Sequence, residues 1–271
     1  MQMNNPLLVR RFATGVLIAL LFLVPIVYVI MISLESAQQF GAHPLQPPVP
    51  PHFGNFASAW TQGDLGPELI NTAIYAVVAA GISTALSLLI AFPIARRLVR
   101  WSSSLYQWFV IGLALPLPII PLFIESRDLG LYDNRIGYII LHVALPNLPL
   151  GVILLTAFIS GIPTELDEAA WLDGASYPRY MLSFVTPLAW PGIVITLLYS
   201  LLYVWNDIIG PVVFLANPSL FPIARGVFNF YSSNEGSYTL LAAAVMVVSA
   251  PVALLFAVSQ KQLLRATMGL R

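Results

Sequence analysis

Few residues in this chain could do chemistry. Lys261 is the only lysine, and Gln262 follows it. The Gly-x-x-x-x-Gly-Lys-Ser/Thr loop that cradles nucleotide phosphates is therefore missing. Any energy drawn from ATP has to enter through another chain. His43, His52 and His142 are scattered, with no spacing such as His-Glu-x-x-His that would hold a metal. Cysteine is absent, which excludes disulfides, thiolate metal sites and cysteine nucleophiles. The sequence thus assigns no catalytic residue, no metal and no cofactor, and reads as something other than an enzyme. The formal net charge of zero leaves no basic patch asking for nucleic acid. Asp207 is the one acidic residue placed well inside an apolar segment, where an ionisable group is expensive and calls for a function. Asn206 beside it can share its hydrogen bonds. The pair reads either as a polar position in or near a pathway or as a buried lock between helices. His142, in another apolar segment, reads as packed or pore-facing.

The richest stretch is Ser160 to Pro187, SGIPTELDEAAWLDGASYPRYMLSFVTP. Thr164 is placed to cap a helix, with Asp167 three residues on in a pattern like a capping box. Glu165, Asp167 and Glu168 fall in the first turn, where carboxylates complement the helix dipole. Gly174 is placed to end the helix in a left-handed conformation, and Pro178 suits the start of a second one. The expected product is a short amphipathic helix outside the membrane, then a helix leading back in. Such a helix either seats an apolar face in a partner's groove, with Leu166, Ala169, Ala170 and Trp171 as contacts, or is a connector with good caps.

The elements around these residues are set by composition. Hydrophobic residues make up 58% of the 271 and charged residues 9%, against about 25% charged in soluble domains. Lipid covering the exterior explains the deficit. Six apolar segments emerge: Phe12–Ile32, Pro67–Ala95, Leu105–Ile124, Tyr138–Ile159, Leu188–Val213 and Tyr238–Ser259. The first is about 21 residues long, enough at about 1.5 Å per residue to span a hydrocarbon core of roughly 30 Å, and too long for a signal-peptide core. It reads as an uncleaved anchor. Placing the N-terminus in the cytoplasm puts nine basic residues on that face (Arg10, Arg11, Arg96, Arg97, Arg100, Arg179, Lys261, Arg265 and Arg271) and three on the other (Arg127, Arg135 and Arg225). This bias puts both termini inside a multi-pass cell-membrane protein. The Pro-rich segment from Ser33 to Gly66 then reads as a structured external loop or lid. Prolines recur inside the spans, among them Pro93, Pro116, Pro118, Pro146, Pro211 and Pro251. They fit bends around a pathway or ordinary packing.

Glu168-Ala169-Ala170, Gly174 after three intervening residues, and Pro187 thirteen further on resemble the EAA loop of ABC importer permeases. The wider string from Ile162-Pro163 through Ala175 is similar to the branch of maltose-transporter, or carbohydrate, type. So are Gly130-Leu131-Tyr132-Asp133 with Gly137, Leu145-Pro146 with Leu148-Pro149, Trp205-Asn206-Asp207, and Asn55-Phe56. Phe184 and Thr186-Pro187 stand where the family usually has an aliphatic residue and Leu-Pro. The resemblance implies an all-α fold of about six transmembrane helices, the ABC importer type I transmembrane domain. It divides the chain into residues 1–66, a first helix and external loop, and a permease core of residues 67–271 with its coupling loop at 160–187. It implies docking of Glu168, Ala169, Ala170, Asp173 and Gly174 on an ATP-binding subunit. It implies a second permease chain, two ATP-binding subunits, an extracytoplasmic solute-binding protein and surrounding membrane lipid. The expected function is import of a sugar or sugar-like solute by alternating access. Permeases for polyamines or glycerol phosphate, an ATP-independent secondary carrier with Asp207 and His142 as its only candidate ion ligands, and a membrane receptor subunit are the competing readings.

Overall fold

The computed structural model describes residues 6–233 and 237–268. Arg271 lies outside the described residues, as do the side chains of Trp171, Lys261 and Arg265. Every regular element among the described residues is helical. In chain order the α-helices are α1 (Pro6–Ser33), α2 (Ala37–Ala42), α3 (Gly54–Gln62), α4 (Leu65–Ala95), α5 (Ser102–Ala114), α6 (Ile119–Asp128), α7 (Arg135–His142), α8 (Leu148–Ser160), α9 (Glu165–Leu172), α10 (Tyr177–Tyr180), α11 (Thr186–Leu188), α12 (Trp190–Trp205), α13 (Ile209–Phe214), α14 (Ile223–Ser233) and α15 (Tyr238–Met268), with π-helical turns at Val143–Asn147 and Met181–Val185 and a 3-10 turn at Pro218–Leu220. The chain divides into two compact units: Met1–Gly66 with Gly226–Pro251, and Pro67–Arg225 with Val252–Arg271.

Four helical stretches are long and apolar enough to cross a membrane: Arg10–Ser33, Leu65–Ala95, Arg135–Ser160 and Tyr238–Gln260. Two more are bent pairs, Ser102–Ala114 with Ile119–Asp128 at 105° and Tyr177–Leu188 with Trp190–Trp205 at 79°. Counting each pair as one span gives six. The first bend follows from Pro116 and Pro118. Neither can donate a helix hydrogen bond, and Leu115, before a proline, is extended at φ −75°, ψ 140°. Within Arg135–Ser160, Pro146 interrupts the ladder and Leu145 leaves helical geometry. The His142 carbonyl that Pro146 cannot serve takes a bond from Asn147 Nδ2 at 2.8 Å. Pro93 and Pro251, by contrast, sit inside unbroken helices.

The fifth span differs from its expected range of Leu188–Val213. Helix α12 ends at Trp205, and Asn206 to Ile208 form a break before α13. Pro211 explains it: continuing the helix would need an N–H at 211 for the carbonyl of residue 207. Asp207 therefore sits at a helix break and not in mid-helix.

In the larger unit α4 carries a core at each end. Ala91 and Phe92 pack with Leu155 and Ile159 of α8, Ala170 of α9, Tyr180 and Met181. Tyr75, Ala76 and Ala79 pack with Tyr138 of α7, Val204 of α12 and Phe214. Between these cores the helices meet through small residues. Gly192, Thr196, Ser200 and Val204 form the buried stripe of α12, at a spacing of four. A Cβ on Gly151 of α8 would run into Ser87 of α4 and come within 3.1 Å of Thr196. Three helices therefore close on one glycine. Lipid tails are as apolar as leucine, so close backbone approach through small residues supplies the association energy here.

In the smaller unit, Asn55 Nδ2 donates to the carbonyls of Ser33 (2.9 Å) and Glu35 (2.8 Å), tying α3 to the end of α1. Ser36 and Gln39 form a reciprocal capping box on α2. Gln39 Nε2 also donates to the carbonyl of Val49 at 2.9 Å, which pins the Pro-rich stretch.

Candidate functional site

Helix α9 forms where its sequence places it. The carbonyl of Thr164 accepts from the backbone N–H groups of Asp167 (3.0 Å) and Glu168 (3.2 Å). Gly174 has φ +68°, and the Ala175 N–H reaches back to the carbonyl of Ala170 at 3.0 Å. That is the six-to-one bond of a Schellman end, which needs a left-handed residue and so favours glycine.

The Asp167 side chain does not close a capping box on Thr164. It turns inward to Arg96, the residue after α4, whose Nη2 donates to Oδ1 at 3.2 Å and whose Nε lies 2.6 Å from Oδ2 in an ion pair. The Tyr180 hydroxyl donates to the same Oδ1. Arg96 Nη1 donates further to the carbonyls of Ile159 (3.1 Å) and Ile162 (2.9 Å) at the end of α8. One largely buried guanidinium and one carboxylate thus tie together the ends of α4 and α8 with α9 and α10. The close charge pair, with Nη1 and Nη2 both donating, offsets the desolvation of the two buried groups. Sequence reasoning missed this clasp: it counted Arg96 as an orientation charge and Asp167 as a first-turn acid.

The docking residues expected from the sequence divide. Ala170, 2% exposed, packs inward against Phe92, Ile159 and Tyr180. It packs α9 against the body of the larger unit. Glu168, Ala169, Asp173 and Gly174 are exposed. Leu166 is exposed too, and Leu172, which the sequence reading passed over, is 89% exposed. Leu166, Ala169 and Leu172, with Asp173, make an outward stripe at helical spacing.

Asp207 forms the second cluster. Its Oδ2 accepts from the Tyr138 hydroxyl and faces His142 Nε2, both at 2.9 Å. Its Oδ1 accepts from the N–H of Gly210 at 2.9 Å, capping the first turn of α13. His142 Nδ1 lies 2.9 Å from the carbonyl of Tyr138, which fixes the ring. Asn206 does not join the cluster; it is exposed, and its Nδ2 donates to the Leu202 carbonyl at 2.8 Å. The cavity beside Asp207 is about 130 Å³; His142 and Tyr203 line it with Asp207, and the rest of its wall is largely apolar, with Leu117, Leu122, Leu145 and Phe214. Typical ligand pockets are about 300–1,000 Å³. The geometry is that of a tie between α7 and the α12–α13 break.

A third set of bonds lies at the opposite end of α4. Arg135 donates to Asn71 Oδ1 (2.8 Å), and Asn71 Nδ2 donates to the carbonyls of Ser219 (2.8 Å) and Phe221 (3.1 Å). Asp133 Oδ1 accepts from the N–H groups of Ala216 and Asn217, both at 2.8 Å.

A family model described as "Binding-protein-dependent transport system inner membrane component" matches residues 83–266. The chain belongs to that family. It is a multi-pass ABC importer permease, and the match takes in both α9 and Asp207. The permease is 30% identical over 263 residues to the diacetylchitobiose uptake system permease protein NgcG of Streptomyces coelicolor, covering 94% of this chain and 87% of the relative. It is 30% identical over 212 residues to the melibiose/raffinose/stachyose import permease protein MelC of Bacillus subtilis, covering 77% and 76%. Its fold matches a chain in the crystal structure of a bacterial ABC transporter involved in the import of the acidic polysaccharide alginate. The TM-score is 0.80 at 22% identity, over 94% of this chain and 95% of that one.

Proposed function

We propose that this permease imports a sugar or sugar-like solute, handed over by an extracytoplasmic binding protein and moved by alternating access. Residues 1–66 are its first helix and external segment, and residues 67–271 its translocation core. ATP is hydrolysed on two separate subunits, and a second permease chain completes the pathway. The observation that carries the energetic part is α9: an exposed apolar stripe on a helix clasped through Asp167 and Arg96 to the end of α4. A subunit gripping Leu166, Ala169 and Leu172 would pull on a spanning helix and not on a loose loop. The relatives named for oligosaccharide uptake support the solute class.

The test replaces surface residues only. Glu168→Lys and Leu172→Asp both lie on the outward face, so the permease should still accumulate in the membrane. The expected result is loss of the ATP-binding subunit from the purified complex, or retention with solute-stimulated hydrolysis reduced at least tenfold. Wild-type subunit content and transport in both variants would remove α9 from the coupling role. Transport persisting with no ATP-binding subunit at all would favour the secondary carrier.

A further inference from the structure

Three helix breaks meet at the cavity of about 130 Å³ beside Asp207. Leu117 and Ile119 reach it from the turn between α5 and α6, Leu145 from the interruption in Arg135–Ser160, and Asp207 and Ile209 from the break between α12 and α13. His142 Nε2 and Asp207 Oδ2 line this cavity 2.9 Å apart, on side chains 3% and 14% exposed. Their hydrogen bonds can be counted proton by proton. His142 Nδ1 lies 2.9 Å from the Tyr138 carbonyl, which only accepts, so Nδ1 carries a hydrogen. The Tyr138 hydroxyl and the Gly210 N–H bring their own hydrogens to Asp207. The contact between Nε2 and Oδ2 is left. A neutral ring protonated at Nδ1 presents a lone pair at Nε2, and an ionised carboxylate only accepts. Two lone pairs facing at 2.9 Å repel. The contact therefore needs one further proton, on either atom.

We infer that Asp207 and His142 form a proton-binding site, a latch across these breaks that one bound proton closes. The proton sits between Nε2 and Oδ2, and on release it passes to water through the cavity that both residues line. Holding it makes the pair neutral overall, which a carboxylate inside the membrane favours. Among the described residues no other cation pairs with Asp207. The remaining titratable groups around the site are tyrosines: Tyr138 on α7, Tyr203 on α12 with Tyr199 stacked on it, and Tyr75 of α4 behind Tyr138. Arg135 stands over the Tyr75 ring and donates to Asn71. The turn between α5 and α6, α6 itself and α13 contribute Leu117, Leu122 and Phe214, none of which ionises. The latch joins α7 to the break between α12 and α13. A conformation that parts them gives up the proton, so by reciprocity acid favours the tied one. The inference depends neither on the solute nor on how α9 couples.

The test reads the thermal midpoint of the assembled, purified transporter from pH 6 to pH 9. It is made in a Glu35→Gln background, so that this other buried acid does not contribute. A proton that closes a contact of the folded state stabilises it while bound, and the effect is lost as pH rises through its release. The midpoint should therefore fall by about 2–4 °C across the range. His142→Gln, whose amide can donate to Asp207 without titrating, should abolish that fall, and so should Asp207→Asn. Groups elsewhere in the complex that titrate over the same range act equally in all three proteins and cancel in the comparison. A midpoint already flat from pH 6 to pH 9 with the pair intact would overturn the latch, and this measurement needs neither variant to assemble. An undiminished fall in either variant would overturn it too, because a purely structural tie changes the midpoint at every pH alike.

Discussion

Arg96 and Asp167 lie 71 residues apart and share one pair of oxygens. Removing one partner of a buried pair leaves the other uncompensated, at about 3 kcal/mol. Arg96→Gln should therefore loosen α9 and raise amide exchange across Glu165–Leu172 roughly 100-fold. Adding Asp167→Asn should cost less than the sum of the single changes, because the two act as a unit. Additive effects would mean that the clasp is not the anchor. Glu35 carries the pH dependence. It is 1% exposed, and neither carboxyl oxygen has a hydrogen-bond partner. Burial pushes its acid above the ordinary carboxylate range. With the folded value raised, the stability from the neutral acid is complete below the unfolded value and is lost as pH rises through the folded one. The external segment should resist proteolysis better at pH 4 than at pH 8. In Glu35→Gln the part of that difference due to this residue should vanish, and an unchanged pH profile would relieve Glu35 of the effect. None of these partners was legible from the sequence. A first-turn acid is sufficiently explained by the helix dipole, and nothing local in the sequence shows that its carboxylate turns to a guanidinium on another helix.

Elements were more legible than partners, because apolar length and caps are local. The number of spans, the positions of all but the fifth, the start of α9 and the left-handed Gly174 follow from residue type and spacing. The 79° bend between α11 and α12 does not, since the prolines around it resemble Pro93 and Pro251, which sit in unbroken helices. Whether a proline bends a span depends on what re-satisfies the freed carbonyl, as Asn147 does at His142. Asp207 was misplaced for the same reason: Pro211 ends α12 early, and the aspartate caps the next helix. Close approach is likewise invisible until the helices are placed. Gly151 of α8 is one glycine among 17 in the sequence, yet α4 and α12 both close on it. Gly151→Ala should cost about 2 kcal/mol by overpacking and lower the thermal midpoint of the purified transporter. Ser87→Gly in the same chain should restore most of it, by removing the atoms that the new methyl meets. Failure of that rescue would show that the damage arises elsewhere.

At the scale of the whole molecule, the two ends of α4 carry different chemistry, and this bears on orientation. At one end Asn71 holds Arg135 and the segment from Ser219 to Phe221. At the other, Arg96 holds Asp167, with Arg97 and Arg100 beside it. Asn71 and Arg96 are 25 residues apart, or about 38 Å at 1.5 Å per residue, more than the roughly 30 Å of hydrocarbon between them. The two polar clusters therefore belong to opposite faces of the membrane. Arg135 and Arg225 at the first end are consumed locally, Arg225 by the carbonyls of Pro211 and Leu215 and by stacking on Phe221. At the second end Arg97 and Arg100 are exposed and make no ion pair among the described residues, and neither does Arg127 on the other face. Lysine and arginine beside short loops are retained in the cytoplasm, which predicts that the Arg96 end, and α9 with it, lies inside. The absence of cysteine makes this directly measurable. Ala216→Cys near the first end and Ser104→Cys near the second are both at exposed positions. A membrane-impermeant maleimide applied to intact cells should label Ala216→Cys and should reach Ser104→Cys only after permeabilisation. The opposite pattern would turn the permease over, put α9 where no ATP-binding subunit can reach it, and end the coupling proposal along with the orientation.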